Sequence, residues 1–154
     1  EALSGMTLFA SLDLSKGFHQ IKVDESDRPL TAFCTPFGEY EYRYMPFGLI
    51  NAPAHFQFCM NLVFRGLIGR CCVVYIDDVL VFGRNLKEFI ENLRAVFIRI
   101  HQYGLKLNRD KCIIGAEEVT FLGFNISKFG RKISDKWIKN ILDLPPPTSK
   151  TGVR

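Results

Sequence analysis

The stretch VVYIDDVLVF, residues 73–82, places two adjacent carboxylates in the middle of an apolar run that favours β-structure. This feature constrains the fold most, because two like charges in contact repel and burying an unpaired carboxylate costs several kcal/mol. The apolar segments 71–76 and 79–83 predict a tight β-hairpin with Asp77 and Asp78 at its tip. The two aspartates therefore either occupy a solvated turn or face a cation that the fold brings to them.

The composition is that of a soluble globular domain. The chain has 154 residues, of which 47% are hydrophobic and 23% are charged, so one hydrophobic core is expected. No uninterrupted apolar run reaches the roughly 18 residues that span a bilayer, and we expect no membrane partner. The chain starts EALSGM, without a signal peptide, and ends PPPTSKTGVR, which is typical of a linker. We therefore expect it to be part of a longer protein.

Charge is distributed unevenly along the chain. Residues 1–50 carry 4 basic and 7 acidic groups, whereas residues 51–154 carry 16 basic and 9 acidic groups. This excess of positive charge after the aspartate pair fits a nucleic-acid partner, but it equally fits a solvated basic surface. Charge alone leaves both interpretations open.

The five cysteines argue against a disulfide framework or a zinc site. Their number is odd and no CxxC pair occurs, and four of them lie in apolar stretches. Reduced, buried thiols in a cytosolic type of compartment are the expectation.

Hydrophobic periodicity predicts a mixed α+β fold. It indicates strands at 7–14, 71–76, 79–83 and 119–126, a hairpin of 30–35 with 40–45, and helices at 53–64 after an Asn51 cap, at 86–102 and from 135 to 144. With the 30–45 hairpin set aside as an insertion, the order is β-α-β-β-α-β, the ferredoxin-like arrangement. In that arrangement the first strand lies beside the central hairpin, so Asp13 should approach Asp77 and Asp78.

A cluster of three carboxylates would need protons or cations to neutralise it. Ligands that are all oxygen favour Mg²⁺ or Mn²⁺, and two such ions about 4 Å apart promote in-line phosphoryl transfer. The alternative is that Asp-Asp provides turn chemistry and that Asp13 caps a strand end. Spacing does not decide between them.

Five blocks of the chain resemble the reverse transcriptases of gypsy-type LTR retrotransposons, in the same order and over nearly the whole length. They are FASLDLSKGFHQIKV, LTAFCTPFGEYEYRYMPFGLINAPAHFQFCMN, VVYIDDVLVF, GLKLNRDKC and EVTFLGFNIS. The resemblance implies a right-hand polymerase fold, with a ferredoxin-like β-α-β-β-α-β palm and part of the fingers. It implies a palm at 1–134 with partial fingers inserted at about 22–50, and a truncated start of the thumb or connection linker at 135–154.

The resemblance also implies an RNA-directed DNA polymerase activity. Asp13, Asp77 and Asp78 match the catalytic aspartates and would bind two Mg²⁺ ions, with Mn²⁺ as a possible substitute. A primer 3′-hydroxyl on an RNA or DNA template would attack the α-phosphate of a dNTP and release pyrophosphate. Tyr75, in YIDD, would lie close to the primer terminus.

Nucleotide and primer contacts follow from the same resemblance. Leu14, Lys16, Gly17, Phe18 and Phe47 match nucleotide-binding positions, and Phe18 matches an aromatic gate that excludes a 2′-hydroxyl. A plain turn at 16–17 and a core role for Phe18 are the alternatives.

On the primer side, Leu122 and Gly123 match a primer grip, although a β-bulge would need the same glycine. The basic residues between 128 and 139 would contact primer phosphates.

The implied context is a Pol polyprotein that also carries protease, RNase H and integrase domains, in intracellular, cytoplasmic virus-like particles. The competing hypothesis is a catalytically inactive nucleic-acid-binding remnant of a retroelement. The catalytic motifs carry no lesion, which favours an active parent protein.

Overall fold

The computed structural model describes residues 3–143. The strands in this part are β1 Leu8–Asp13, β2 Phe33–Thr35, β3 Gly38–Tyr40, β4 Cys72–Tyr75, β5 Asp78–Gly83, β6 Ile113–Ala116, β7 Glu118–Phe121, β8 Phe124–Ser127 and β9 Gly130–Ile133. The helices are α1 Ala52–Val63, α2 Leu86–Gln102 and α3 Asp135–Leu142, with short 3-10 helices at Gly17–Gln20, Arg28–Thr31 and Arg109–Lys111. The predicted end of the last helix, at residue 144, lies outside the described residues.

The central sheet has the strand order β4-β5-β1-β6, and every neighbouring pair is antiparallel. Together with the connecting helices α1 and α2, this is the ferredoxin-like order of a β-α-β-β-α-β unit. The predicted fold class is therefore confirmed.

Both faces of the central sheet are covered, which explains the continuous apolar run in β5. On one face Val79 and Val81 pack with Phe56 of α1 and Val96 of α2. On the opposite face other strand residues pack against the separate sheet β7-β8-β9, in a cluster that contains Phe9, Leu80, Phe82, Val119, Phe121 and Ile126. A strand buried on both sides needs apolar residues at successive positions, not alternating ones.

The prediction of a last strand at 119–126 is wrong in two ways. The segment is a hairpin, β7–β8, that turns at Leu122 and Gly123, whose φ values are 50° and 82°. The fourth strand of the ferredoxin-like unit is instead β6, which sequence reasoning missed. β6 is four residues long and largely exposed at the sheet edge, so it has no burial pattern to reveal it.

The predicted 30–45 hairpin is real but shorter than expected. Only Phe33–Thr35 and Gly38–Tyr40 pair, around the predicted turn at Pro36, while Leu30 belongs to the preceding 3-10 helix. Below the paired strands, the Tyr42 N–H donates to Thr31 Oγ1 at 2.9 Å, so a side chain replaces the missing ladder bonds.

Helix α1 begins where expected, but Asn51 does not cap it through its side chain.

The cysteines only partly match expectation. All five are unpaired, and Cys71 and Cys72 are buried, but Cys34, in the two-stranded β2–β3 sheet, is exposed.

Within residues 3–143, no helix combines the length and the apolar character needed to cross a membrane.

We predict that Gly83→Ala strongly destabilises the fold. A Cβ at Gly83 would lie 2.6 Å from the backbone N and Cα of Phe89, where β5 passes under α2, and backbone atoms cannot move aside. The expected loss is about 3 kcal/mol in the free energy of unfolding, at the upper end for overpacking, measured by urea denaturation. The control, Gly66→Ala, meets no atom within 4 Å and suffers only backbone strain at φ 81°. Equal losses in the two variants would contradict the packing argument.

Candidate functional site

The ends of β1 and β5 bring two of the three aspartates together. Asp13 and Asp78 are directly opposite each other in the antiparallel register. The Leu14 N–H donates to the Asp77 carbonyl at 2.8 Å, so Asp13 and Asp78 form a non-hydrogen-bonded pair. Side chains approach most closely in pairs of that type, and they point to the same face of the sheet.

The turn between β4 and β5 differs from expectation. Its two residues are Ile76 and Asp77, whereas Asp78 is already the first residue of β5 and pairs with Tyr75. Ile76 has φ 52°, a left-handed conformation that β-branched residues rarely adopt, which is why the sequence pattern did not indicate it. As a result, Asp78 is a cross-strand neighbour of both Tyr75 and Asp13.

A glutamine on α1 holds this strained turn in place. Gln57 Oε1 accepts a hydrogen bond from the Ile76 N–H at 2.7 Å, and Gln57 Nε2 donates to the Val74 carbonyl at 3.3 Å and to Asn61 Oδ1 at 2.9 Å. Sequence reasoning missed Gln57. The one available signal was a glutamine in the middle of the mostly apolar helix APAHFQFCMNLV.

Alternation along the strands places the aspartates on the sheet face that is turned away from α1 and α2. Asp78 shares its face of β5 with Leu80 and Phe82, and Asp13 shares its face of β1 with Phe9. The β7-β8-β9 sheet covers the apolar part of this face. The end that carries the aspartates is only half-buried.

At this end of the sheet the negative charges of the carboxylates are only partly balanced by a positive charge. Burial raises the pKa of the Asp78 carboxyl, the charges of Asp77 and Asp13 raise it further, and Lys111 opposes the rise. Lys111 Nζ lies 3.4 Å from Asp13 Oδ2, in an ion pair whose lysine is largely exposed. Sequence reasoning counted Lys111 in the basic half of the chain without assigning it to this site.

The donor set suits a hard divalent cation, although the side chains do not enclose one. Among residues 3–143, no three His, Cys, Asp or Glu side chains lie close enough together to hold a metal ion. The backbone nevertheless brings Asp13, Asp77 and Asp78 to one end of the sheet, and carboxylate oxygens are what Mg²⁺ and Mn²⁺ prefer. The residues fit such an ion by their chemistry and by the position of their backbone.

The loop after β1 lies against the turn. Lys16 is left-handed at φ 58°, and Gly17 follows at φ 32°. A Cβ on Gly17 would lie 3.6 Å from Asp77 Oδ2, so the loop backbone passes close to the aspartate turn. The Leu14 side chain is fully buried in the core, so only its backbone faces the site.

Phe18 and Phe47, both expected to contact nucleotide, are in contact with each other. Phe18 packs edge-on against the core residue Phe56, with ring centroids 5.5 Å apart, and against Phe47, at 5.4 Å. Phe47 is 68% exposed and also meets the His19 ring at 5.0 Å. Phe18 is thus a half-buried ring that links the core to an exposed aromatic surface, and its role as a gate stays a prediction.

Leu122 and Gly123 lie in the β7–β8 turn, not in a β-bulge. The Leu122 side chain is about half-exposed, and the Gly123 carbonyl accepts a hydrogen bond from the Ser134 N–H at 3.0 Å. A Cβ on Gly123 would lie 3.0 Å from Trp137 Nε1, so the glycine permits close packing by α3. The turn extends from the sheet that covers the aspartate-bearing face.

Residues 1–126 match the family model described as reverse transcriptase (RNA-dependent DNA polymerase). The retrovirus-related Pol polyprotein from transposon 297 of Drosophila melanogaster is 43% identical over 95% of this chain. The corresponding polyprotein from transposon gypsy is 36% identical over 95%, and the enzymatic polyprotein of cauliflower mosaic virus (strain Strasbourg) is 35% identical over 93%. The chain spans 14% of the length of the two Drosophila proteins and 21% of the viral one.

Solved structures of reverse transcriptases share the fold of this chain. The foamy viral protease-reverse transcriptase in complex with double-stranded DNA matches with a TM-score of 0.87 and 25% identity, over 96% of this chain and 26% of that one. The same type of protein in complex with an RNA/DNA hybrid matches with a TM-score of 0.83 and 24% identity, over 99% and 21%.

We predict that Asp78→Asn stabilises the metal-free protein at neutral pH. Because the pKa of Asp78 is raised in the folded state, its ionised form costs stability at pH 7, and this cost disappears as the pH falls through that pKa. The gain should stay below about 1 kcal/mol, since the carboxyl is partly screened by solvent. Thermal unfolding in a chelator, at neutral and at acidic pH, measures it.

The control for this prediction is Asp24→Asn, where the sign is opposite. Hydrogen bonds from the Ser26 hydroxyl and backbone N–H lower the pKa of Asp24, so neutralising it should give no gain. A loss of stability in Asp78→Asn at pH 7 would contradict the electrostatic account.

Proposed function

Because this chain belongs to the reverse transcriptase (RNA-dependent DNA polymerase) family, we propose that the protein containing it is an RNA-directed DNA polymerase. It would add deoxynucleotides from dNTPs to a primer 3′-hydroxyl on an RNA or DNA template. The fold is the palm of a right-hand polymerase with part of the fingers. The observation that carries the proposal is the register that sets Asp13 opposite Asp78, with Asp77 in the adjoining turn.

The proposed division of the chain follows the sequence. Residues 1–134 would form the palm, with the partial fingers inserted at about 22–50, and residues 135–154 would begin the thumb or connection. The relatives are Pol polyproteins, so we propose that protease, RNase H and integrase domains accompany this one and that it works in cytoplasmic virus-like particles.

In the proposed mechanism Asp13, Asp77 and Asp78 would hold two divalent ions, Mg²⁺ or Mn²⁺. When bound, such ions make an attacking hydroxyl more acidic and offset the charge that develops on a transferred phosphoryl group. The residues of this chain contribute by positioning the carboxylates and the loop backbone. The strand register fixes two carboxylates, and Gln57 fixes the third through the turn. The 16–17 backbone would face the triphosphate. Tyr75 lies beside Asp78 and is half-exposed, as expected of a residue that meets the primer end.

The proposed nucleic-acid partner is a primer–template duplex. The foamy viral structures contain double-stranded DNA or an RNA/DNA hybrid, and this chain shares their fold. Leu122 and Gly123 would approach the primer, because their turn lies on the sheet that covers the aspartate-bearing face. The basic side chains that follow would contact phosphates and make binding salt-dependent; they are Lys128, Arg131, Lys132, Lys136 and Lys139.

We predict that Asp77→Asn strongly reduces the rate of primer extension by the protein that the complete reading frame encodes. The substitution keeps the size of the side chain and removes one charge, so the rate should fall by roughly 10²-fold or more. The measurement is Mg²⁺-dependent extension of a labelled primer on RNA and DNA templates, with binding of primer–template measured in parallel. Extension that persists in the variant would contradict the assignment. An intact reading frame that binds primer–template without extending it would favour the inactive remnant.

We predict that Phe18→Val admits ribonucleotides while extension with dNTPs continues. The ring is braced from behind by the buried Phe56, so it cannot retreat from a 2′-hydroxyl. The preference for dNTP over rNTP should fall by roughly 10- to 100-fold, measured as the ratio of incorporation efficiencies. The control, Phe58→Val, removes an exposed ring on α1. An unchanged ratio of incorporation efficiencies in Phe18→Val would contradict the role of Phe18 as a gate.

A further inference from the structure

The side chain of Gln20 closes the loop that follows β1. Its Nε2 donates to the Ser15 carbonyl at 2.5 Å and to the Lys106 carbonyl at 3.0 Å, and its Oε1 accepts from the Lys106 N–H at 2.7 Å. Both donor hydrogens and the acceptor oxygen of one amide are therefore used. The same side chain spans the loop and reaches a segment 86 residues away in sequence.

The distant segment is a firm anchor because it is bonded to the end of β1. The Ser15 N–H donates to the Lys106 carbonyl at 2.8 Å, and the Asn108 N–H donates to the Asp13 carbonyl at 2.8 Å. Between them, Leu14 and Leu107 form an antiparallel bridge. Gln20 thus connects the far end of the loop to the backbone that carries Asp13.

The loop needs such a closure, because its backbone is strained. Lys16 and Gly17 both have positive φ, and for Lys16 the left-handed conformation costs roughly 1–2 kcal/mol. Conformations of this kind persist where the surroundings impose them. Within the loop, the Gly17 N–H donates to the Leu14 carbonyl at 3.4 Å and the His19 N–H donates to the Lys16 carbonyl at 2.9 Å. The amide of Gln20 adds the side-chain bonds that tie the loop to the segment at Lys106.

The 16–18 loop carries residues of the proposed nucleotide site. Gly17 lies against the Asp77 carboxylate, and Phe18 is in contact with Phe47. A loop that relaxed from its left-handed conformation would move the backbone that faces the triphosphate relative to the carboxylates. The β-sheet and its register would stay intact.

We propose that Gln20 is a positioning residue for the incoming nucleotide: its amide holds the 16–18 loop at a fixed distance from the aspartates and so sets the affinity for dNTP. This inference rests on the proposed polymerase function. It differs from a role in fold stability alone, because it requires dNTP affinity to change while affinity for primer–template does not.

The experiment uses the complete reading frame with two substitutions. Gln20→Met keeps the length and approximate volume of the side chain but removes its hydrogen bonds. Gln20→Glu keeps an acceptor for the Lys106 N–H but sets a carboxylate oxygen against two carbonyls. The control, Gln102→Met, changes an exposed glutamine at the end of α2.

Two measurements separate positioning from stability. Single-turnover incorporation gives the dNTP concentration for half-maximal rate. A gel shift with a dideoxy-terminated primer gives the concentration of the next dNTP that stabilises the ternary complex, without any turnover. Both values should rise about tenfold in Gln20→Met, the effect of losing roughly one net hydrogen bond, and further in Gln20→Glu. The dissociation constant for primer–template should stay within about twofold, and Gln102→Met should match wild type.

Wild-type dNTP affinity in both Gln20 variants would overturn the inference and leave the proposed function standing. Parallel losses of dNTP affinity, primer–template affinity and melting temperature, or a failure to fold, would also overturn it, by placing Gln20 in general stability. A wild-type protein without extension, or an Asp77→Asn variant that still extends, would overturn the proposed function and this inference together.

Discussion

The pairing of β1 with β5 sets two carboxylates opposite each other, and the rest of the structure accommodates that repulsion. Like charges at a cross-strand pair oppose sheet formation, and burial makes the ionised form of Asp78 still less favourable. Burial of apolar side chains farther along the same strands offsets this repulsion, since Phe9, Leu12 and residues 79–81 are completely buried. Val79 and Val81 pack in one layer, and Leu80 and Phe82 pack in the other. A one-residue slip of β5 would exchange these side chains between the two layers and disrupt the packing of both, so the core fixes the register that holds the aspartates together.

Sequence reasoning succeeded where a pattern repeats along one segment. The apolar runs and helical spacings indicated the ferredoxin-like core, and with it the approach of Asp13 to the 77–78 pair. It failed at β6, whose four exposed residues carry no periodicity, and at Ile76 and Leu122, where left-handed backbone contradicts local preference. The 119–126 run appeared as one strand because the turn residue Leu122 is itself apolar.

Sequence reasoning missed Gln20 and Gln57 for a different reason. Each acts through hydrogen bonds between a side-chain amide and backbone groups of a distant segment, and the sequence does not show which segment that is. Local rules and the final structure disagree most at the two strained turns beside the carboxylates, as is common where a fold carries a function. Both turns are held by glutamine amides, whose directional bonds fix a backbone more narrowly than apolar contact does.

The close packing of Trp137 on Gly123 has an optical consequence. Trp137 is the only tryptophan in the sequence, and its indole nitrogen would lie 3.0 Å from a Cβ at Gly123. Its emission therefore comes from a single place, the junction between α3 and the β7–β8 turn. The wavelength and intensity of that emission give a label-free reading of how this junction responds when nucleic acid or a neighbouring domain approaches, without an added dye.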